Sequence, residues 1–295
     1  MNTLTKRLFF VLCALVLLAG LIFPAALAAA EVPSEAAPSE QSALVLPCSE
    51  VPLYADGEYI GSGIMMDDTT YVPLRTFVET MLHKICDASW NQETGTAVLT
   101  AEDLCVTLTM DDGYMTLNGR YIYLEDRVFN INGTIVVPIR DLARLFGAEL
   151  TWNPAECSVS LDTSALRLPE DGDSFYPEED LYWLSHVIFS EAGNQPLAGM
   201  IGVGNVVLNR AADDSGLYGE GIYGVIFLPG QFDVVAGAIY MEPSEKAIAA
   251  AKLCLEGYNT VGDAKWFVNP AIGSTRWFRT YKTFALTIAD HDFYT

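Results

Sequence analysis

The chain has 295 residues, which is enough for two modest domains that each bury a hydrophobic core. Its formal net charge is −22, from 38 acidic and 16 basic residues. Nucleic acid phosphates and anionic membrane surfaces repel a chain of this charge, so we expect no nucleic-acid partner and favour a neutral or zwitterionic polymer as substrate.

Residues 1–30 predict a secretory signal peptide. The basic pair Lys6-Arg7 precedes an apolar run, and two small-x-small cleavage sites, Ala26-Leu27-Ala28 and Ala28-Ala29-Ala30, follow that run directly. No second apolar run is long enough to span a membrane, so we expect a soluble, secreted protein with no stable membrane span after cleavage. Segments 31–47 and 163–176 contain prolines and acidic residues and indicate linkers.

Five cysteines follow the predicted cleavage site: Cys48, Cys86, Cys105, Cys157 and Cys254. Their odd number and wide spacing fit neither a disulfide framework nor a CxxC metal site. One disulfide of unassigned pairing is possible, and free buried thiols are the default expectation. Because the three histidines are also far apart in sequence, we expect no metal site and no cofactor.

Residues 48–162 contain an internal repeat. The segment Val72-Pro73-Leu74-Arg75 matches Val137-Pro138-Ile139-Arg140, and Trp90-Asn91 matches Trp152-Asn153. Each copy predicts a strand, a short helix that begins after the proline, and a further strand. The region is therefore expected to be a small α+β domain built from two similar halves.

The VPxR and Trp-Asn segments of this region resemble the copper amine oxidase N-terminal-like domain. Only His83 lies within it, so the resemblance implies no copper site, and it suggests association with the cell wall instead. We expect a hairpin around Asn118-Gly119 between the two copies. Because Trp90 and Trp152 occupy equivalent positions, packing in the core is favoured over stacking on sugars.

Residues 177–295 predict a mainly helical α+β domain with a small β-sheet. Pro177 and Pro196 mark the starts of two helices, and Ser244 or Glu242 marks the start of a third. Residues from Lys265 onward are rich in aromatic and β-branched side chains and predict short strands.

Glu191 ends the first helix of this domain. Leu184, Val187 and Ile188 lie seven, four and three residues before it, which places the carboxyl group on the apolar face of its own helix. Desolvation there would raise the pKa of Glu191, as a general acid that works near neutral pH requires. The pattern leaves open that Glu191 frays into solvent or pairs with Arg210.

The second helix of the domain contains an unusual number of glycines. Gly199, Gly202 and Gly204 lower helix stability, so they suggest the close approach of another backbone. Asn205 and Asn209 share one face of this helix. We expect a structural role for Asn209, whereas Asn205 is a candidate to orient a sugar N-acetyl group or to hold Glu191.

The segments SEAGNQPLAGMIGVGNVVLNR, VIFLPGQF, FVNP and IADHDFY occur in this order and resemble the spore-cortex-lytic cell wall hydrolase family (SleB type). The resemblance implies a lysozyme-like fold for this domain, with Glu191 as the catalytic acid. It also implies cleavage of peptidoglycan between N-acetylmuramic acid and N-acetylglucosamine by lytic transglycosylation, in spore cortex lysis or wall remodelling. Gly193-Asn194-Gln195 replaces the family's Arg-Gly-Glu, which removes a basic residue and a second carboxylate.

Gln231, Asn205, Asn269 and His291 are the candidate substrate-binding residues, each with a structural role as the alternative. The expected partner is the peptidoglycan glycan strand, and the expected location is the cell wall or the spore cortex. Two other functions remain open: a non-catalytic wall-binding protein and an N-acetylmuramoyl-L-alanine amidase, although an amidase usually requires a zinc site.

Overall fold

The computed structural model of the protein describes residues 50–168, 171–232 and 238–295, which belong to one compact unit. The predicted signal peptide and the predicted linker 31–47 lie outside the described residues. Within those ranges, no helix is both long enough and apolar enough to cross a membrane. The predicted α+β class is confirmed, with strands concentrated in the first half and helices in the second.

Residues 50–162 form twelve strands and two short helices. The strands are β1 (Glu50–Ala55), β2 (Glu58–Met66), β3 (Thr69–Pro73), β4 (Asp87–Asn91), β5 (Thr96–Ala101), β6 (Leu104–Thr109), β7 (Tyr114–Leu117), β8 (Arg120–Tyr123), β9 (Phe129–Ile131), β10 (Thr134–Pro138), β11 (Glu149–Asn153) and β12 (Ser158–Asp162). The helices are α1 (Leu74–Leu82) and α2 (Ile139–Phe146).

These strands form two sheets around a shared apolar core. One sheet has the order β11-β12-β1-β2-β3-β10-β9, and the other has the order β4-β5-β6-β7-β8. The core takes side chains from both sheets and from both helices, including Phe77 of α1 and Phe146 of α2. Asn118 and Gly119 join β7 to β8 with positive φ angles, so the predicted hairpin is confirmed.

The internal repeat is confirmed in three dimensions. The first half runs β2-β3-α1-β4-β5, and the second half repeats this order as β9-β10-α2-β11-β12. At the boundary between the halves, β3 pairs antiparallel with β10, and Val72 lies opposite Val137. Equivalent strands that pair in this way exchange places under a two-fold rotation, so the two halves are related by an approximate two-fold axis.

The prediction that Trp90 and Trp152 pack in the core is wrong. The two residues are 39% and 38% exposed. They lie on β4 and β11, which are the edge strands of their sheets, and an edge strand has fewer neighbours to cover its side chains. Each copy of the repeat therefore exposes one indole ring.

The expectation of free thiols is wrong at Cys157. This cysteine is disulfide-bonded, and its partner lies outside the described residues. Cys86 and Cys254 are free and buried, as expected, whereas Cys105 is free and exposed. Cys157 lies in the turn between β11 and β12, at one edge of the seven-stranded sheet.

Residues 172–295 contain the helices and a small sheet. The helices are α3 (Gly172–Phe175), α4 (Glu178–Ala192), α5 (Leu197–Ala211), α6 (Gly221–Phe227), α7 (Glu245–Leu255) and α8 (Arg276–Tyr281). The strands β13 (Trp266–Val268), β14 (Phe284–Ile288) and β15 (His291–Tyr294) pair in the order β13-β15-β14. Pro177, Pro196 and Ser244 occupy the N-cap positions of α4, α5 and α7, as predicted. The sequence did not predict α8.

The glycines of α5 allow close packing, but against side chains rather than against another backbone. A Cβ atom at Gly202 would lie 2.8 Å from Val261 Cγ1, and one at Gly204 would lie 2.6 Å from Cys254 Sγ. α5 is thereby the centre of the C-terminal core, in contact with α4, α6 and α7.

The two domains are joined by a buried polar contact. Arg120 on β8 donates from Nε and Nη2 to the Glu256 carboxylate, at 2.7 and 2.6 Å. The Tyr176 hydroxyl also donates to Glu256 Oε1, at 2.5 Å, and accepts from the Tyr121 N–H at 3.0 Å. Tyr176 belongs to the segment expected to be a linker, 163–176, so the end of that segment is packed between the domains.

Candidate functional site

Glu191 lies in the last turn of α4, where a buried helix face reaches its end. Leu184, Val187 and Ile188 are at most 1% exposed, so the predicted apolar face is confirmed. Glu191 itself is half-buried. A carboxyl group in this place is partly desolvated and remains accessible from one side, which suits proton exchange with a substrate.

Arg210, in the last turn of α5, interacts electrostatically with Glu191. It is 4% exposed, and burial lowers its pKa to about 10, although Tyr218 and the Glu191 carboxylate both favour its charged form. The guanidinium therefore stays protonated at neutral pH. A buried positive charge favours the ionised form of a neighbouring carboxyl group.

Arg210 also holds two further segments of the domain by hydrogen bonds. Its Nε donates to the Lys265 carbonyl at 2.7 Å, and its Nη1 donates to the Gln231 carbonyl at 3.3 Å. The guanidinium carbon lies 4.8 Å from the centroid of the Phe232 ring. One side chain thus ties the end of α5 to the turn after α6 and to the start of β13.

Gln231 joins this network through its backbone carbonyl, which accepts from Arg210 Nη1. The N–H of Gln231 donates to the Leu228 carbonyl at 3.1 Å, which closes the Pro-Gly turn after α6. The Gln231 side chain is half-buried and stays available to a ligand. The neighbouring Phe232 is 8% exposed and packs 6.4 Å from the ring of Phe267 on β13.

His291 packs against Phe267, which in turn packs against Phe232. It is 5% exposed on β15, and its ring centroid is 5.2 Å from that of Phe267. Burial lowers the pKa of His291, and the charge of Asp290 opposes that effect, so the imidazole is neutral at pH 7. Its Nδ1 has no hydrogen-bond partner among the residues that the structure describes.

The Gly193-Asn194-Gln195 segment leads from Glu191 to α5. Gln195 is 4% exposed, and its Nε2 donates to Asn194 Oδ1 at 3.0 Å and to Asp290 Oδ2 at 3.1 Å. The Asp290 N–H donates in return to Gln195 Oε1 at 3.2 Å. Gln195 therefore links this segment to the β14–β15 turn. It stands at the sequence position where the SleB-type motif has its glutamate.

The three asparagines have structural partners. Asn205 is 3% exposed; its side chain donates to the Tyr258 carbonyl at 2.8 Å and accepts from the Thr260 N–H at 3.0 Å. Asn209 donates to two carbonyl groups of the loop before β13, as expected for a structural residue. Asn269 accepts from the Ala271 N–H at 2.9 Å within its own turn. The buried side chain of Asn205 is therefore not placed as a sugar ligand, and we do not retain it in the site.

The described part of the chain contains no group of three or more His, Cys, Asp or Glu residues that could hold a metal ion. A cavity of about 1140 Å³ lies between the two domains, but Glu191 does not line it.

Two family models match the chain, one for each domain. Residues 194–294 match the family described as Cell Wall Hydrolase, and residues 55–161 match the Copper amine oxidase N-terminal domain. Both domain resemblances that the sequence indicates are thus confirmed. The first match begins three residues after Glu191, so it does not include the predicted catalytic residue.

Curated relatives of the C-terminal domain are named as spore cortex-lytic enzymes. The chain is 33% identical to the one from Oceanobacillus iheyensis over 106 residues, or 36% of this chain and 38% of the relative. It is 31% identical to the one from Bacillus cereus over 106 residues, or 36% and 40%, and 32% identical to the one from Bacillus subtilis over 103 residues, or 35% and 33%. The matched part thus spans two fifths or less of the length of these relatives.

Two solved structures are similar to the same part of the chain. The catalytic domain of the germination-specific lytic transglycosylase SleB from Bacillus anthracis is 28% identical, with a TM-score of 0.38, and the match covers 41% of this chain and 98% of that one. The catalytic domain of Bacillus cereus SleB is also 28% identical, with a TM-score of 0.37, and the match covers 41% and 94%.

Proposed function

We propose that the protein is a peptidoglycan-degrading enzyme that cleaves the glycan strand between N-acetylmuramic acid and N-acetylglucosamine, as a lytic transglycosylase. The observation that carries the proposal is the half-buried Glu191 beside the buried, charged Arg210, in a domain that matches the Cell Wall Hydrolase family. The curated relatives named as spore cortex-lytic enzymes support peptidoglycan as the substrate.

A single carboxyl group is sufficient for this reaction. The neutral acid of Glu191 donates its proton to the glycosidic oxygen, and the bond from that oxygen to C1 of N-acetylmuramic acid breaks. Glu191, now a carboxylate, takes the proton of the C6 hydroxyl while O6 bonds to C1 and closes a 1,6-anhydro ring. No water is consumed and Glu191 regains its proton, so a second carboxylate to activate water is unnecessary.

Arg210 assists the second half of this cycle. Its positive charge stabilises the Glu191 carboxylate after proton donation. Before proton donation, the partial burial of Glu191 favours the neutral acid. We assign substrate contact to Gln231, whose backbone is fixed by Arg210. His291 acts as a positioning residue behind Phe267, and Asn269 remains a candidate on the turn that follows β13.

We further propose that the protein acts outside the cell membrane, at the cell wall or the spore cortex. The predicted signal peptide and the acidic composition of the chain support export. Wall association through the N-terminal domain is part of the same proposal, and either spore cortex lysis or vegetative wall remodelling fits the site.

Mass spectrometry of the soluble products tests the reaction. The mature protein is incubated with peptidoglycan sacculi that contain or lack the muramic lactam of spore cortex. Products that end in 1,6-anhydro-N-acetylmuramic acid are expected. Reducing ends would indicate hydrolysis, a free L-alanine terminus would indicate an amidase, and binding without soluble products would indicate a wall-binding protein.

A variant pair tests the role of Glu191. Glu191→Gln is expected to lower the rate by at least about a thousandfold, because the amide cannot donate the proton in a general acid step. Glu178→Gln, on the exposed first turn of the same helix, is the matched control and should keep the native rate. Native activity in Glu191→Gln would remove Glu191 from the mechanism.

A further inference from the structure

Two grooves on the N-terminal domain have the same construction. Trp90 lines a cavity of about 540 Å³, and Trp152 lines one of about 300 Å³. The two tryptophans have the same register, since Trp90 pairs with Ala97 and Trp152 pairs with Val159 in the neighbouring strand. Both indole rings are exposed to a similar extent, at 39% and 38%.

Each groove is assembled from both halves of the repeat. The Trp90 groove combines the start of α1 with the β9–β10 turn, which belongs to the second half. The Trp152 groove combines the start of α2 with the β2–β3 turn, which belongs to the first half. The exchange follows from the antiparallel pairing of β3 with β10, so the approximate two-fold axis generates one groove from the other.

The grooves have the chemistry of sugar-binding sites. Each has an exposed indole face, apolar side chains beneath it, and an arginine at the rim: Arg75 in one groove and Arg140 in the other. Amide and hydroxyl side chains complete the two rims, namely Gln92, Asn130 and Thr134 in one and Thr69 in the other. A flat aromatic surface packs against the C–H face of a pyranose ring, and the polar rim can bond its hydroxyl and N-acetyl groups.

The Trp90 ring is held in a fixed orientation. Its Nε1 donates to Gln92 Oε1 at 3.0 Å, and its Cη2 atom lies 4.0 Å from the position that a Cβ atom would take at Gly95, in the following turn. A fixed aromatic side chain loses little conformational entropy when a ligand stacks on it. The net charge of −22 disfavours a strongly anionic polymer, whereas the mostly neutral sugar backbone of a glycan strand is compatible with it.

We propose that the Trp90 groove and the Trp152 groove are two binding sites for peptidoglycan glycan strands, with one N-acetylated sugar ring stacked on each indole. The identity of the glycan rests on the proposed function; the two grooves and their sugar chemistry do not. The sites hold the C-terminal domain on its substrate, because the two domains are joined through Arg120 and Glu256.

Binding assays on the full chain test the two grooves. All variants carry Glu191→Gln, so that the ligand stays intact, and they are Trp90→Ala, Trp152→Ala and the double variant. Tyr59→Ala is the matched control, since Tyr59 is 62% exposed on the same domain and lines neither groove. Affinity is measured by co-sedimentation with insoluble sacculi and by NMR titration with a soluble N-acetylglucosamine tetramer.

Each single variant is expected to lower the affinity about tenfold, which corresponds to the loss of one aromatic stacking contact, and the double variant is expected to lower it further. Trp90→Tyr and Trp152→Tyr should recover most of the binding, and they remain informative if an alanine variant unfolds. A double variant that binds both probes as well as Tyr59→Ala does would overturn the proposal, as would the absence of binding in the parent.

The two proposals fail in different ways. Loss of sacculus binding in the tryptophan variants, combined with no soluble product from the native protein, would support the grooves and reject the enzyme. Anhydro products from the native protein, combined with unchanged binding in the tryptophan variants, would support the enzyme and reject the grooves.

Discussion

Gln195 and Asp290 hold each other by two hydrogen bonds of opposite direction. Gln195 Nε2 donates to Asp290 Oδ2 at 3.1 Å, and the Asp290 N–H donates to Gln195 Oε1 at 3.2 Å. The pair joins the segment after Glu191 to the β14–β15 turn, where Ala289 has a positive φ angle of 47°. A carboxylate at position 195 would face the Asp290 carboxylate, so the glutamine suits this particular partner.

The Gln195→Glu substitution is expected to destabilise the fold at pH 7 by about 1 to 3 kcal/mol, because two carboxyl groups in contact cannot both be ionised at low cost. The pair in the folded variant retains a proton that the unfolded chain loses above about pH 4, so the penalty should shrink as the pH is lowered toward 4. Urea unfolding at pH 5 and pH 7.5 measures both effects. Gln195→Glu combined with Asp290→Asn should restore stability, and failure to do so would contradict direct repulsion.

Arg120→Ala tests the contact between the domains. The substitution leaves the Glu256 carboxylate, whose side chain is only 10% exposed, without its guanidinium partner. We expect a loss of about 2 to 4 kcal/mol in the free energy of unfolding. Arg127→Ala is the control, because Arg127 and Asp111 are both 83% exposed at the side chain. Equal unfolding curves for the two variants would show that the buried contact contributes little.

Asp141 on α2 makes the stability of the N-terminal domain depend on pH. It is 3% exposed, and burial raises its pKa to about 7, above the value of roughly 4 in an unfolded chain. The folded protein therefore keeps a proton that the unfolded chain loses, so stability should fall as the pH rises from 4 to 7 and should level off above that.

Asp141→Asn should remove this dependence. We expect the variant to be more stable than the native protein at pH 8, by roughly 2 to 4 kcal/mol at most, and similar to it near pH 4. Melting temperatures across this range measure the effect. Asp87→Asn, at an exposed position on β4, should follow the native profile. A native-like slope in Asp141→Asn would assign the pH dependence to other groups.

Gly204→Ala should destabilise the C-terminal core by about 1 to 3 kcal/mol through overpacking. The added Cβ would lie 2.6 Å from Cys254 Sγ and 2.9 Å from Ile188 Cδ1. Gly224→Ala on α6 meets nothing closer than 3.5 Å and should be neutral or slightly stabilising. The melting temperatures of the two variants, measured by thermal unfolding, test this difference. Adding Cys254→Ala to Gly204→Ala removes the nearest clashing atom, so a further loss of stability would show that the clash is not the cause.

Local signals in the sequence were sufficient for most helix starts. Pro177, Pro196 and Ser244 act within one helical turn, so their capping roles can be read without the fold. The helix Arg276–Tyr281 could not be predicted in this way. Its aromatic and β-branched residues have weak helix propensity, and Phe278 is held by tertiary packing, 5.3 Å from the ring of Tyr294.

The sequence predicted the order of the site residues along the chain, but not the contacts between them. The periodicity before Glu191 correctly predicted a buried helix face, because helical spacing fixes which residues share a side. The spacing of Asn205 also predicted which face of α5 it lies on, but it did not predict the hydrogen bond to the carbonyl of Tyr258. The link from Arg210 to Gln231 depends on the packing of α5 against α6, which no local pattern encodes.

The antiparallel pairing of β3 with β10 also bears on the direction of a bound polymer. A rotation about the approximate two-fold axis reverses any line that runs along the sheet, so the Trp90 and Trp152 grooves face opposite ways. A glycan strand has a reducing and a non-reducing end. One straight strand along the sheet therefore matches one groove and meets the other backwards, whereas two strands of opposite polarity match both. The domain would thus distinguish paired neighbouring strands from single ones.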